Sequence, residues 1–305
     1  MSEQAVLFGQ TAPMVGVLTD PSEGTKRQDA AVVLLNAGIV HRVGPSGLYV
    51  KLARRLAGLG YVVVRFDGSG IGDSEVRRDH LPFEKSAVLE TIEVMDYVTR
   101  ARGVHKFVLV GICSGAVTAF KTACEDRRVT GAALLNAQGF HQSGRWNAYA
   151  MNPGWVREYW RNLRSVRSWR NALTGRTQYR RLIGVMLGQI KIIVSRDKAV
   201  SAVATSLASQ LAGVVERNIR LLFMFSKGDH SANYLNLMMG GQKKSFRASG
   251  LITEETIIGA DHTFTRMAHQ QRVIDTVEGW LVRTRPEGVG VRGKESLGRR
   301  QEIAK

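Results

Sequence analysis

Short runs rich in valine, isoleucine and leucine alternate along the chain with stretches whose apolar positions recur at helical spacing. The clearest runs are Ala31–Leu35, Tyr61–Phe66, Phe107–Val110, Ala132–Leu135 and Leu221–Phe225, with Glu255–Ile258 as the last. Their apolar character is continuous rather than alternating, as expected of parallel strands covered on both faces by crossover helices. Leu48–Leu59 carries apolar residues at helical intervals and stops at Gly60. Pro82–Arg100 does the same and opens with a proline in its first turn. The pattern predicts an α/β fold with a mostly parallel, twisted sheet and helices on both faces.

The alternation breaks after Leu135. Residues 141–214 hold Trp146, Trp155, Trp160 and Trp169, and apolar positions 155, 156, 159, 160, 163, 166, 169 and 173 recur at helical intervals. A helical insertion is predicted there, splitting a core made of residues 1–140 and 215–282. Residues 283–305 have neither periodicity nor enough apolar side chains to fold, and a flexible tail is expected. No internal repeat is visible.

Composition narrows the class. The 305 residues are 44% hydrophobic and 23% charged, which excludes a disordered or fibrous chain. No run approaches the roughly 18 apolar residues of a membrane span, and the N-terminal stretch lacks the layout of a signal peptide, so a cytoplasmic location is expected. Cys113 and Cys124 lie too far apart along one strand-to-helix element for a disulfide, and both are expected as thiols. The net charge of +17 is concentrated. Residues 141–198 carry twelve Lys and Arg against Glu158 and Asp197, and the tail adds a further basic excess. A basic insertion and a basic tail are thus joined to a core near neutrality.

The most informative stretch is Val108-Leu109-Val110-Gly111-Ile112-Cys113-Ser114-Gly115-Ala116. A strand enters a sharp turn flanked by glycines and continues into a helix. Gly111 and Gly115 leave room where side chains would collide, so the central residue, Cys113, can occupy a strained turn with its side chain exposed. Here the sequence resembles the α/β-hydrolase superfamily, in which this turn is the nucleophile elbow. Asp67-Gly68-Ser69-Gly70-Ile71-Gly72-Asp73-Ser74 resembles the superfamily's D-x-x-G-x-G-x-S turn. Phe225-Ser226-Lys227-Gly228-Asp229 resembles the strand end that presents the acid, and Gly259-Ala260-Asp261-His262-Thr263-Phe264 the loop that presents the histidine. The order of nucleophile, acid and histidine is that of the superfamily. The likeness covers roughly residues 28–140 and 216–282, and the insertion falls where such enzymes carry a lid. Residues 36–75 are especially like bacterial hydrolases found with exopolysaccharide and exosortase loci, and serine aminopeptidases are a further resemblance.

The resemblance implies an α/β-hydrolase fold and a Cys113, His262 and Asp229 triad without metal or cofactor. Cysteine stands where most members have serine, as it also does in dienelactone hydrolases and polyhydroxyalkanoate synthases. The nearby imidazole, the helix N-terminus and partial exclusion of water all favour the attacking thiolate. The oxyanion donors expected are the backbone N–H groups of Ser114 and of Gly38, with Ile39 as the alternative to Gly38, because Asn36-Ala37-Gly38 replaces the superfamily's His-Gly-x. Ile39, His41, Trp155 and Trp160 are candidate pocket residues. Other readings stand beside these: Cys113 as a small core residue, Ser114 as the nucleophile with the motif misregistered, although it is off-centre between the glycines, Asp229 as a turn cap with Asp261 or His230 competing, His262 as structural, Asp67–Ser74 as a rigid turn, and Cys124 as core.

Three functions remain open. The first is hydrolysis of an ester or thioester through an acyl-cysteine intermediate, and the second passes the same acyl group to an amine, hydroxyl or thiol. The third is a catalytically silent protein that binds through its basic insertion. The expected partner is a small acyl substrate, with coenzyme A or an acyl carrier protein as the acidic carrier that the basic insertion would suit. Attachment to a membrane surface through the same face is an alternative. The absence of any nucleic-acid-binding signature argues against nucleic acid. Oligomeric state is not readable from the sequence.

Overall fold

The computed structural model describes residues 1–140 and 198–283. Eight strands form one sheet: β1 (Ser2–Phe8), β2 (Met14–Asp20), β3 (Ala30–Leu35), β4 (Val62–Phe66), β5 (Lys106–Ile112), β6 (Val129–Leu135), β7 (Arg220–Ser226) and β8 (Ile252–Ile257). Their spatial order is β1-β2-β4-β3-β5-β6-β7-β8. β2 runs antiparallel to both β1 and β4, while all pairs from β4 to β8 are parallel. The helices are α1 (Leu48–Gly58), α2 (Phe83–Arg102), α3 (Ser114–Glu125), α4 (Lys198–Glu216), α5 (Ser231–Met239), α6 (Lys243–Ala248) and α7 (Met267–Arg283).

The continuous apolar runs are explained by burial from both sides. In β3, Val33 and Leu35 join one apolar cluster with Leu109, Leu134 and Phe223, packed under α2, α3, α4 and α5. The alternate residues Val32 and Leu34 join a second cluster with Val110, Leu222 and Met224, covered by Leu52 and Leu56 of α1 and Val277 and Trp280 of α7. Two side-chain layers per strand leave no solvent face to mark with polar residues.

The structure departs from the sequence reading at four places. The β1–β2 hairpin was not anticipated; Ser2–Gln4 are exposed, and the hairpin is a partly solvated antiparallel edge rather than a buried run. The last strand begins at Ile252 and ends at Ile257, leaving Ile258 exposed. The helix expected from Pro82 to Arg100 starts at Phe83, with Pro82 at the N-cap position, and ends at Arg102 before Gly103, which adopts φ 68°. The fourth concerns the insertion, whose predicted boundary of 214 falls inside α4. Leu207, Leu211 and Val214 of that helix are buried in the core cluster, so this end of the span packs as core. The rest of the insertion, with Trp155 and Trp160, and the tail beyond Arg283 lie outside the described residues. No helix among the described residues is long and apolar enough to cross a membrane.

Candidate active site

Cys113 sits between β5 and α3 with φ 58° and ψ −117°, a conformation that side chains rarely adopt. The turn is held because its flanks can have no side chain. A Cβ on Gly111 would lie 2.2 Å from the carbonyl carbon of Gly115, and one on Gly115 would lie 2.4 Å from the carbonyl oxygen of Asn36. The Cys113 N–H donates to the Leu135 carbonyl oxygen at 2.9 Å, tying the elbow to β6. The Cys113 side chain is partly exposed. Cys124, eleven residues along, is also only partly buried but packs against the apolar core, and desolvation pushes its thiol up to about 12 despite the opposing charge of Arg217.

The parallel strands deliver the other groups to the same edge of the sheet, where their carboxyl ends open into loops. Asp229 follows β7 and His262 follows β8. His262 Nδ1 and Asp229 Oδ2 are 2.7 Å apart, and the Cys113 side chain is hydrogen-bonded to the same imidazole. Burial works against the charge on Asp229. The hydrogen bonds from His262, from the hydroxyl and N–H of Ser231, and from Gln138 Nε2 outweigh it and hold the carboxyl at about 2. His262 is raised to about 10, first by its hydrogen bond to Asp229 and then by that to Cys113, against the cost of burial.

Three residues that organise this edge were not singled out in the sequence. Asn136, fully buried at the end of β6 with φ 45°, donates through Nδ2 to Ser226 Oγ at 2.9 Å and to the His262 carbonyl oxygen at 2.7 Å. Its Oδ1 accepts from the Ser226 N–H at 2.8 Å, and Ser226 Oγ in turn donates to the Asp261 carbonyl oxygen at 2.7 Å. Gln138 and Ser231 hold Asp229 directly. Asparagine, glutamine and serine are common in loops, so no local pattern marks them; Ser231 is two residues from the acid, and the pairing of β6 with β7 brings Asn136 and Gln138 to that edge.

Of the two alternatives for the second oxyanion donor, Gly38 lies beside the elbow. Its N–H donates to Ser114 Oγ at 2.9 Å, so in the resting state a hydroxyl oxygen holds the position relative to this amide that an oxyanion would need. Ile39 is 90% exposed among the described residues. The loop containing both is anchored by Asp67, which is fully buried. Asp67 Oδ1 accepts from the Arg42 N–H at 2.5 Å and from Asn36 Nδ2 at 3.4 Å, and Asn36 Oδ1 accepts from the Gly68 N–H at 2.9 Å. The D-x-x-G-x-G-x-S turn therefore supports the loop that carries Gly38.

His41 faces this anchor. Its Nε2 lies 3.4 Å from Asp67 and 3.6 Å from Asp73. The three residues bring ligand-type atoms within 4.8 Å of one another. Arg42 already bridges both carboxylates, with one guanidinium nitrogen on Asp67 and the other on Asp73 at 2.8 Å. The guanidinium offsets one of the two carboxylate charges and occupies the space between them, so a cation there would have to displace it.

The chain is similar in fold to many solved hydrolase structures. An esterase from Pyrococcus furiosus matches at 13% identity over 92% of this chain and 91% of its own, with a TM-score of 0.55. A proline iminopeptidase-related protein from Thermus thermophilus matches at 18% identity over 92% and 98%, with a TM-score of 0.54. An α/β serine hydrolase without a lid, from Xanthomonas campestris, matches at 14% identity over 94% and 97%, also at 0.54. No curated protein matches the chain. The model of the serine aminopeptidase S33 family matches residues 27–181, just over half of the sequence, spanning the Gly38 loop, the Asp67 turn and the elbow. With the strand order, the elbow and this match in agreement, the chain belongs to the serine aminopeptidase S33 family and is a hydrolase of the α/β-hydrolase fold.

Proposed function

We propose that this hydrolase cleaves an ester or thioester through an acyl intermediate on Cys113, with His262 as the proton carrier and Asp229 as its orienting anion. The observation that carries the reading is the chain of contacts from Cys113 to His262 to Asp229. The family is named for serine; in this chain the elbow's central position holds sulfur, and Ser114 lies off-centre on the first turn of α3.

In the proposed reaction His262 already holds the proton shared with Cys113 as an imidazolium, and sulfur attacks the carbonyl carbon, forming an S–C bond and an oxyanion. The Ser114 and Gly38 N–H groups receive that oxyanion once the Ser114 hydroxyl has turned away from Gly38. His262 then protonates the departing alkoxide or thiolate, leaving a thioester on Cys113. Water, deprotonated by His262, attacks the thioester and releases the acid, and the proton stays on the imidazole beside the freed sulfur. Asp229 remains ionised throughout and stabilises the imidazolium. Coenzyme A or an acyl carrier protein as the acyl carrier belongs to the same proposal.

Intact mass spectrometry after exposure to a series of acyl-coenzyme A thioesters tests it. The expected result is one acyl adduct on Cys113, absent from Cys113→Ala and discharged with time. Release of free acid alone marks hydrolysis, and an acylated amine formed when an amine is added marks transfer. Turnover by Cys113→Ala equal to the native protein would overturn the reading.

A further inference from the structure

The edge of the sheet opposite the elbow, where the parallel strands begin, carries a separate feature. A cavity of about 980 Å³ opens at the first residues of β3, β5, β6 and β7, which are Ala30, Lys106, Val129 and Arg220. β5 is seven residues long, so at about 3.3 Å per residue this cavity lies roughly 20 Å from Cys113. Tyr61, Val108 and Trp280 line it together with a set of cationic side chains.

Seven Lys and Arg side chains line it against one carboxylate, Asp29. Two of the seven are committed. Lys106 pairs with Asp29 at 2.8 Å, and Arg217 caps the end of α3 through the carbonyl oxygens of Ala123, Cys124 and Asp126. Lys26, Arg27, Arg127, Arg220 and Arg283 make no ion pair among the described residues. They come from four separate segments: the loop before β3, the turn before β6, the start of β7 and the end of α7.

Helix C-termini account for part of this charge. α3, α4 and α7 end at or near this edge, and each contributes about half a negative charge. Five cations without an ion pair around one concavity still leave a clear positive excess, and like charges gathered round one cavity repel unless a counter-anion joins them. The cavity volume is that of a small-molecule site. Guanidinium groups supply paired donors that match phosphate oxygens.

We propose that this cavity binds a small polyanion bearing two or more linked phosphate groups. The site is independent of the triad and of the acyl chemistry assigned to it.

Calorimetric titration of the full-length protein with sodium tripolyphosphate in low salt tests the site. The native protein is expected to bind and to weaken as salt is raised. Arg127→Ser combined with Arg220→Ser should weaken binding at least tenfold, and so should Lys26→Ser with Arg27→Ser, a pair on an exposed loop that leaves the core untouched. Arg78→Ser with Arg100→Ser removes equal charge elsewhere and should bind as the native protein does. No binding by the native protein, undiminished binding by both cavity pairs, or equal loss in all three pairs would overturn the proposal, the last by showing only the overall field of a +17 chain.

Discussion

The side-chain amide of Asn136 donates to the backbone carbonyl oxygen of His262 at 2.7 Å, joining the end of β6 to the loop that follows β8 across the intervening β7. The same amide nitrogen reaches Ser226, at the end of the strand that leads to Asp229. One buried side chain thus ties the acid-bearing and histidine-bearing loops to each other, a spacing that neither loop could set alone.

Asn136→Ala is expected to lower stability by about 2–3 kcal/mol, because it leaves the Ser226 N–H and the His262 carbonyl oxygen without their buried partner. Urea denaturation measures this. Activity should fall more than stability alone accounts for, by about tenfold to a hundredfold in kcat at a temperature where the variant remains folded. A stable variant with native kcat would remove the positioning role.

The proposed attack by Cys113 makes a prediction about selective alkylation. Near pH 7.5 iodoacetamide should modify Cys113, which is partly exposed and hydrogen-bonded to His262, and leave Cys124, whose burial keeps it protonated to about 12. Peptide mapping reads the two sites separately. Comparable rates at both would show that Cys113 is not activated.

The raised His262 sets the alkaline limit. Its cation, the acid for the leaving group, should persist through neutral pH and be lost only as pH rises through about 10. The kcat/KM of a thioester should accordingly stay level from neutrality into the mildly alkaline range and then decline. Asp229→Asn removes the leading cause of the shift and should move that decline to lower pH. A native profile that declines near the ordinary histidine value of 6.5 would contradict the assignment.

The same shifts bear on folding. His262 is raised above its unfolded value, so its contribution is complete below pH 6.5 and disappears as pH climbs through about 10. Asp229 is depressed, so its contribution is present above 3.8 and disappears as pH falls through about 2. The melting-temperature gap between the native protein and His262→Gln should narrow from pH 6 to pH 10.5; a constant gap would show that the imidazole's charge contributes nothing to stability.

Asp67→Asn keeps the shape of the anchor and removes its charge. The Arg42 guanidinium then loses one of its two carboxylates, and the loop holding Gly38 loses part of its support. A fall in kcat of about tenfold or more is expected, with a smaller change in KM, because the displaced donor serves the oxyanion rather than the bound ester. A loss confined to KM would place the anchor's role in binding.

Much of this architecture was legible in the chain. Runs such as Ala31–Leu35 and Leu221–Phe225 are apolar at every position because both faces are covered, and their shortness and alternation with helical patterns mark them as parallel strands. Cys113, Asp229 and His262 were readable because each sits just past such a run. The hairpin was not, since β1 is exposed at its first four residues and resembles a polar terminus. Nor were Asn136 and Gln138: their roles come from β6 lying beside β7, and that adjacency is a property of the sheet order.

The steric lock at Gly111 and Gly115 has a consequence for how such a protein can change. Neither glycine can acquire a Cβ without driving backbone atoms apart, so the tight turn stays centred on position 113. What can vary is the element carried there. Exchanging oxygen for sulfur leaves the address intact, which makes heteroatom replacement the cheapest route by which this scaffold could reach new acyl chemistry.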